Sequence, residues 1–353
     1  MKTQILTATL LMMCLTACNT YYRMTTVVSP NGQVRKNIYT RGDSAFLSGD
    51  KSHNPFLFNL DSGWEIEPCE QDTSRNYNVK VTKQGYLAED FSNPVPTEDY
   101  MRPLAVPQES MNKRFKWFYT YYTFTSRYLQ LTEKGPIPIS NYLDSTEIKL
   151  WFRGDLHDYP GITGMNGVEL NGILDRIADK FNKWYSNSMY EISFEIVQSV
   201  ANTSANPLAM RLPEIKDTLY TLISKKEVDE ISPAKICQYL DNYFGTSDFS
   251  SIEKEHKKRI DSMYDEKTRL VNLFGISMDY ELVMPGVVVA ANTPFKNQDT
   301  LVWKVDAYRI FTGDYVLTAE SRTPNLWSFI VTALLIAVST GCFIKVFRRR
   351  KRS

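Results

Sequence analysis

Ile276-Ser277-Met278-Asp279-Tyr280-Glu281-Leu282 is the stretch that decides the fold, because apolar and polar residues alternate along its whole length. Alternation with a period of two predicts a β-strand with one buried face. The turn Met284-Pro285-Gly286 follows, and three apolar runs after it predict strands over residues 287–291, 301–305 and 315–319. The chain therefore predicts a sheet just before its C-terminal apolar segment.

The N-terminal part of the chain also predicts β-structure, over residues 21–82. Met24–Val28 and Val34–Tyr39 flank Ser29-Pro30-Asn31-Gly32-Gln33, whose Asn-Gly pair tolerates positive φ and favours a hairpin turn.

Residues 113–131 are rich in aromatic side chains. Eight Phe, Tyr and Trp residues interleaved with Thr predict one long or bent strand, which follows a Pro-rich loop over 90–112. The aromatic residues fall on both faces, as in a central strand covered on both sides. With Arg114, Lys116 and Arg127 the stretch also resembles a stacking platform for a nucleic acid or a sugar, but a core strand is the favoured interpretation.

Between these β regions, over residues 144–275, apolar residues recur at spacings of three and four, which predicts helices. Asp144 and Glu147 are a predicted capping pair, and a long amphipathic helix is predicted over 166–201. Shorter helices are predicted over 213–224, 233–244 and 252–274.

This order predicts an α+β fold, in which N- and C-terminal strands form an antiparallel sheet around a central helical insertion, with one C-terminal transmembrane helix. Separate N-terminal β and C-terminal juxtamembrane domains are the alternative. The predicted regions are a signal peptide (1–17), an N-terminal β-rich region (18–143), a helical region (144–275), a juxtamembrane β region (276–322), a transmembrane helix (325–344) and a basic cytoplasmic tail (345–353).

The N-terminus has the pattern of an export signal. Lys2 precedes a short apolar core, Ile5–Leu15, which is too short to span a bilayer. Leu15-Thr16-Ala17-Cys18 resembles the lipobox of bacterial lipoproteins. That resemblance implies that Cys18 becomes the mature N-terminus and carries fatty acyl chains such as palmitate. An ordinary secretory signal with a chance Cys is the alternative.

The C-terminus has the pattern of a membrane span. Residues 323–344 contain no charged residue, and about twenty apolar residues cross a hydrocarbon core of about 30 Å. Six basic residues follow between Lys345 and Arg352, as on the cytoplasmic side of a span. The body of the protein, the region between the signal peptide and the span, is therefore expected on the periplasmic, or extracytoplasmic, face of the cytoplasmic membrane. Nucleic acid could also attract the basic run, but a membrane flank needs no such partner.

The net charge and the cysteine content limit which ligands and bonds are expected in the body of the protein. The net charge is +1, and without Lys2 and the six basic residues of the tail it is −6, so electrostatics gives no reason to expect nucleic acid. Of the five Cys, only Cys69 and Cys237 lie in the body. An oxidising compartment would permit a disulfide between them, and two separately buried thiols are the alternative.

One segment resembles a known family. Residues 284–321 are similar to the juxtamembrane β domain of LppM-type lipoproteins in Pro285-Gly286, Asn292, Trp303 and Leu317-Thr318-Ala319-Glu320-Ser321. The whole layout also resembles that of uncharacterised Bacteroidetes lipoproteins. These resemblances imply an architecture and carry no activity.

The sequence contains few residues in patterns typical of catalytic sites. It has three His and no zinc-protease, phosphate-loop or serine-hydrolase motif. Asp155, His157 and Asp158 are the best candidates for a binding or hydrolytic site, although such residues are also common in turns. No catalytic residue, metal site or cofactor is predicted.

Three functions follow as hypotheses. The first is a non-enzymatic, membrane-tethered binding or scaffold protein of the cell envelope, with another envelope protein as its partner. The second is a lipid- or glycolipid-binding protein, which requires a cavity of several hundred Å³. The third is a hydrolase of envelope polymers that uses Asp155, His157 and Asp158.

Overall fold

The computed structural model describes residues 20–69, 77–92, 94–132, 134–154, 159, 161, 164–224 and 231–350. The chain divides into two compact units. The sheet unit combines the residues up to Gln130 with those from Ile276 onward, and the helical unit comprises Leu131–Gly275.

The strands of the sheet unit form two sheets. The strands are β1 (Thr20–Val28), β2 (Val34–Thr40), β3 (Glu65–Pro68), β4 (Val79–Gly85), β5 (Gln108–Phe115), β6 (Tyr119–Tyr128), β7 (Ile276–Val283), β8 (Val287–Ala291), β9 (Lys296–Asn297), β10 (Thr300–Asp306) and β11 (Tyr315–Pro324). The larger sheet has the order β3-β4-β2-β1-β7-β10-β9, and the smaller has the order β5-β6-β11-β8. Short helices lie between strands at Ser44–Leu47, Lys51–His53, Leu87–Asp90, Asp99–Met101, Arg102–Ala105 and Ala307–Phe311.

N- and C-terminal strands meet in both sheets, as the α+β prediction requires. The Asn31-Gly32 turn joins β1 to β2, with Gly32 at a φ of 98°. In the larger sheet β1 pairs with β7 in parallel, with Met24 opposite Tyr280. The prediction of an antiparallel sheet is therefore wrong at this pair. The connection from β1 to β7 is long, since it contains strands β2–β6 as well as the helical unit, and parallel strands need such a long connection.

The aromatic stretch is a hairpin, so the prediction of one strand over residues 113–131 is wrong. Strands β5 and β6 pair antiparallel around a turn over Lys116–Tyr119. Burial alternates along β6, where Tyr122, Phe124 and Tyr128 face the core and Thr123 faces solvent. Only one face is covered, and the predicted loop over 90–112 already contains the start of β5.

The core of the sheet unit joins the two sheets through large aromatic side chains. The rings of Phe124 on β6 and Tyr280 on β7 have centroids 6.4 Å apart, and Tyr280 is 6.4 Å from Trp303 on β10. All three side chains are buried. Apolar burial on this scale is the main stabilising contribution to such a fold.

The helical unit is built around one long helix. Its helices are α1 (Ser145–Arg153), α2 (Gly167–Thr203), α3 (Leu212–Ser224), α4 (Pro233–Phe244), α5 (Asp248–Glu255), α6 (Lys257–Lys267) and α7 (Arg269–Phe274), with short turns at Ile139–Asn141 and Ala209–Arg211. One face of α2 packs against α3, α4 and α5 through a buried cluster that includes Tyr190, Leu219 and Leu240. The single helix predicted over 252–274 is instead divided into three.

Local capping in the helical unit follows the sequence prediction. The Asp144 carboxylate accepts from the Glu147 backbone N–H at 2.9 Å, and the Glu147 carboxylate accepts from the Asp144 N–H at 3.0 Å. This reciprocal pair satisfies two backbone donors that the first turn of a helix leaves free.

The C-terminal helix α8 comprises Leu326–Arg350, and most of its described large apolar side chains are exposed. Its segment Leu326–Lys345 has a mean hydropathy of 2.0 and only 6% of it is buried. Within the part of the chain that the structure describes, it is the one helix long and apolar enough to cross a membrane.

A buried carboxylate joins α4 to α5 and supplies a stability test. The two Asp241 oxygens accept from the backbone N–H groups of Phe249 and Ser250, each at 2.9 Å. Asp241→Ala leaves both donors without this acceptor, so we expect the free energy of unfolding of α4 and α5 to fall by about 1–3 kcal/mol. Native-state hydrogen exchange measures it. The exposed control Asp217→Ala should change it by less than about 0.5 kcal/mol, and an equal effect of the two substitutions would contradict the capping.

Candidate functional site

A cavity of about 480 Å³ opens in the sheet unit. One wall is the face of β1, β2 and β4, and the other is formed by chain segments between Phe58 and Glu109. Its volume lies within the range of about 300–1,000 Å³ that is usual for small-molecule sites. The residues that matter most for its chemistry are Lys36, Phe58, Asn59, Asp61, Trp64, Lys83, Glu89, Asp90, Phe91 and Glu109.

Two lysines form part of the strand wall. Lys36 on β2 lies directly opposite Lys83 on β4 in the antiparallel register. Like charges in opposite positions destabilise a sheet, but each lysine here has its own carboxylate. Lys36 forms an ion pair with Glu109, and Lys83 Nζ lies 2.8 Å from Asp61 Oδ2. The two pairs therefore offset the repulsion between the lysines.

The ion pair between Lys36 and Glu109 is buried. Their side chains are only 7% and 6% exposed. Glu109 also accepts a hydrogen bond from the Tyr280 hydroxyl at 3.0 Å, and Tyr280 accepts one from the Thr26 hydroxyl at 3.0 Å. Burial, and then the charge of Glu109, raise the pKa of Tyr280 well above its ordinary value. Tyr280 therefore stays a protonated donor to the buried carboxylate.

Aromatic rings form the opposite wall. The ring centroids of Phe58 and Trp64 are 5.3 Å apart, and those of Trp64 and Phe91 are 6.2 Å apart. The ammonium groups of Lys36 and Lys83 lie 5.2 and 5.4 Å from the Phe91 centroid. At these distances each ammonium is attracted to the ring face. The cavity thus combines apolar ring faces with charges of both signs.

Among the charged groups of the lining, hydrogen-bond acceptors outnumber donors. Four carboxylates, those of Asp61, Glu89, Asp90 and Glu109, face two ammonium groups that are already paired. No His or Cys is among the described lining residues. Within the described part of the chain, no group of three or more His, Cys, Asp and Glu residues lies close enough together to hold a metal ion. The arrangement is suited to binding a polar ligand.

Most residues singled out by the sequence cannot be placed in this site. Cys18, Asp155, His157 and Asp158, and the signal peptide, lie outside the described residues. The disulfide between Cys69 and Cys237 stays a prediction, and Cys237 carries a thiol in the structure. Cys237 is 2% exposed within the apolar core of the helical unit, whereas Cys69 follows β3 of the sheet unit.

The basic residues of the aromatic stretch do not form one stacking platform. The charged groups of Arg114 and Lys116 lie over the Tyr121 ring, at 6.0 and 4.5 Å. Arg127 instead donates to the carboxylate of Asp314, with Nε at 2.8 Å.

Sequence reasoning missed the residues of the cavity, although one signal was present. Val34, Lys36, Ile38 and Thr40 share one face of β2, and all four are buried. A lysine in phase with buried apolar residues indicates a buried ion pair, because an unpaired charge there is costly. Its partner Glu109 lies in a stretch predicted to be a loop, so no local sequence pattern indicated that Glu109 pairs with Lys36.

Comparisons with known proteins add little. No protein-family model matches the chain, and neither does any curated protein. Among solved structures, the folded domain of LppM from Mycobacterium tuberculosis, determined by NMR, aligns over 87% of this chain and 91% of that chain. The TM-score is 0.29 and the sequence identity 8%. The resemblance noted over residues 284–321 thus has only this weak structural counterpart, on which no functional conclusion rests.

The buried ion pair gives a prediction for stability. Lys36→Met leaves the Glu109 carboxylate buried without its ammonium, so the free energy of unfolding should fall by about 3–5 kcal/mol. Lys36→Met combined with Glu109→Leu should recover most of that loss, because no unpaired charge remains. Denaturant unfolding of the detergent-solubilised chain measures both.

The matched control for this prediction is Lys80→Met. Lys80 pairs with Glu67 at a more exposed position, where the two side chains are 26% and 51% exposed. Loss of this exposed ion pair should lower the free energy of unfolding by less than about 1 kcal/mol. A double variant no more stable than Lys36→Met would show that the unpaired charge is not the cause of the loss.

The buried thiol gives a prediction for pH dependence. Burial, aided by the charges of Glu253 and Asp241, raises the pKa of Cys237 to about 12. An unfolded Cys has a pKa of about 8.5, so the folded state keeps its proton longer as the pH rises. The contribution of this thiol to stability is therefore complete below about pH 8.5 and is lost progressively toward pH 12.

Alkylation tests the same thiol. At pH 8 iodoacetamide should label Cys237 much more slowly in the folded chain than in denaturant, because the thiolate is the reactive form. Mass spectrometry of the labelled peptides measures the two rates. Equal rates in the folded and unfolded chains would contradict the burial of this thiol.

Proposed function

We propose that this protein is a membrane-tethered binding protein of the cell envelope, and that the cavity of its sheet unit takes a neutral saccharide or the sugar headgroup of a glycolipid. One observation supports this most strongly. A cavity of about 480 Å³ sets Trp64 and Phe91 beside paired charges of both signs. Sugar rings offer C–H faces that pack on aromatic rings and hydroxyls that both donate and accept hydrogen bonds.

Two other ligand classes fit the cavity less well. An acyl chain would remove water from carboxylates and ammonium groups without replacing its hydrogen bonds, which is costly. A phosphate group would meet four carboxylates, and both lysines nearby are already paired. Hydroxyl groups are neutral, donate to the carboxylates and accept from the lysines.

The proposed location follows from the two ends of the chain. Acylation at Cys18 and a span over Leu326–Lys345 would hold the sheet unit at the periplasmic face of the cytoplasmic membrane, with the basic tail in the cytoplasm. The exposed apolar surface of α8 supports the span. The lipobox resemblance and the basic tail support the orientation.

A protein partner is the second candidate function. Strand β8 is one of the two edge strands of the smaller sheet, and Val287 and Val289 on it are exposed. Exposed apolar side chains on an edge strand favour pairing with a strand of another protein.

Ligand binding is tested with the full chain in detergent on an array of neutral bacterial envelope glycans. At least one glycan should bind, and Trp64→Ala should weaken its binding about tenfold or more, which is about 1.4 kcal/mol. Isothermal titration calorimetry with that glycan measures the change. The control is Ile66→Ala, on neighbouring β3 and outside the cavity lining, and it should leave the affinity unchanged.

Two results would reject the sugar ligand. One is the absence of binding to every glycan of the array. The other is a bound glycan whose affinity Trp64→Ala leaves unchanged, since that binding would lie outside the cavity.

A further inference from the structure

The tip of the β5–β6 hairpin is tied to the start of the apolar helix α8. The Asn325 side-chain amide donates to the carbonyls of Lys116 and Trp117, at 2.8 and 3.2 Å, and the Asn325 backbone N–H donates to that of Phe118 at 2.9 Å. The Thr120 hydroxyl donates to the Asn325 side-chain carbonyl at 2.9 Å. One residue thus satisfies three successive carbonyls of the tip, as backbone must be satisfied before it enters an apolar phase.

A second contact places the tip alongside the helix rather than above it. The Trp117 indole N–H donates to the hydroxyl of Thr332 at 2.9 Å. Thr332 is the seventh residue of α8, so it lies about 9 Å along the axis from Leu326. The Trp117 side chain therefore reaches the level of a residue within the apolar segment Leu326–Lys345.

The rings at this junction are clustered but not covered. We call them the aromatic collar, which consists of Phe115, Trp117, Phe118, Tyr119, Trp327 and Phe329. Ring centroids of Phe118 and Phe329 are 4.8 Å apart, and those of Trp117 and Trp327 are 5.2 Å apart. Even so, Trp117 and Trp327 remain 45% and 51% exposed. In water such a cluster of exposed rings is unfavourable, whereas the interface of a bilayer accommodates it.

Basic side chains lie just beyond the collar. Lys116 lies 4.5 Å from the Tyr121 centroid, and Arg322 lies 4.4 Å from that of Tyr119. No acidic residue occurs between Ser110 and Leu131 or after Glu320. Positive charges next to a band of Trp and Tyr suit the phosphates of lipid headgroups.

We propose that the hairpin tip, Lys116–Tyr119, is embedded in the lipid headgroup and upper acyl region of the membrane that α8 spans. The inference rests on the proposed span and deepens it, since it adds a second membrane contact made by the sheet unit. The collar would then fix how the sheet unit is held against the membrane surface, because hydrogen bonds at Asn325 and at Thr332 join the tip to the start of the helix.

Quenching by brominated lipid tests the embedding. The full chain is reconstituted into phosphatidylcholine vesicles with or without bromine on the upper part of the acyl chains, and tryptophan emission is measured. Trp117→Phe and Trp327→Phe should each remove part of the quenchable emission. Trp64→Phe, in the cavity, is the control and should leave the quenchable part unchanged. Phe118→Trp should add quenchable emission, which provides a gain of signal if Trp117→Phe disturbs folding.

The outcomes separate this inference from the span itself. Quenching of both Trp117 and Trp327 supports the embedded tip. Quenching of Trp327 without Trp117, and no gain from Phe118→Trp, would overturn the inference and leave the span in place. Quenching of neither tryptophan would overturn both.

Discussion

A buried ion pair between two sheets is the constraint on which the sheet unit depends. Lys36 belongs to the larger sheet and Glu109 to the smaller, and neither is more than 7% exposed. A buried charge without a partner costs several kcal/mol, so the two sheets are stable only in an arrangement that brings these groups together. Tyr280 and Thr26 extend the network into β7 and β1. The ion pair that lines the cavity is therefore also part of the packing between the two sheets.

The same unit carries the helix that is able to span a membrane. Hydrogen bonds of Asn325 and Trp117 join the hairpin tip to the start of α8. These bonds restrict the movement of α8 relative to the hairpin. A cavity for polar ligands and a collar of exposed aromatic rings thus occur in one compact unit. If α8 spans a membrane as we propose, a ligand site in the same unit would suit the recognition of a membrane-borne or wall-borne glycan.

Elements with local signals were predicted well, and the hairpin tip shows why others were not. The Asn31-Gly32 turn and the Asp144–Glu147 capping pair depend on residues within a few positions of each other. The turn over Lys116–Tyr119 contains no Gly, Pro or Asn, and its carbonyls are satisfied by Asn325, more than two hundred residues away. A run of β-forming aromatic residues with no turn residue predicts one continuous strand, and the distant amide that supports the reversal gives no local signal in the sequence.

The sequence by itself determined the order of β and helical regions, the apolar helix at the C-terminus and the alternation that buries one face of β7. These follow from periodicity and composition, which depend on neighbouring residues. The tertiary structure alone decided the parallel pairing of β1 with β7, the second sheet and the cavity. The physical reason is that Lys36 and Glu109 are 73 residues apart, and their pairing is selected by the cost of leaving either charge buried alone.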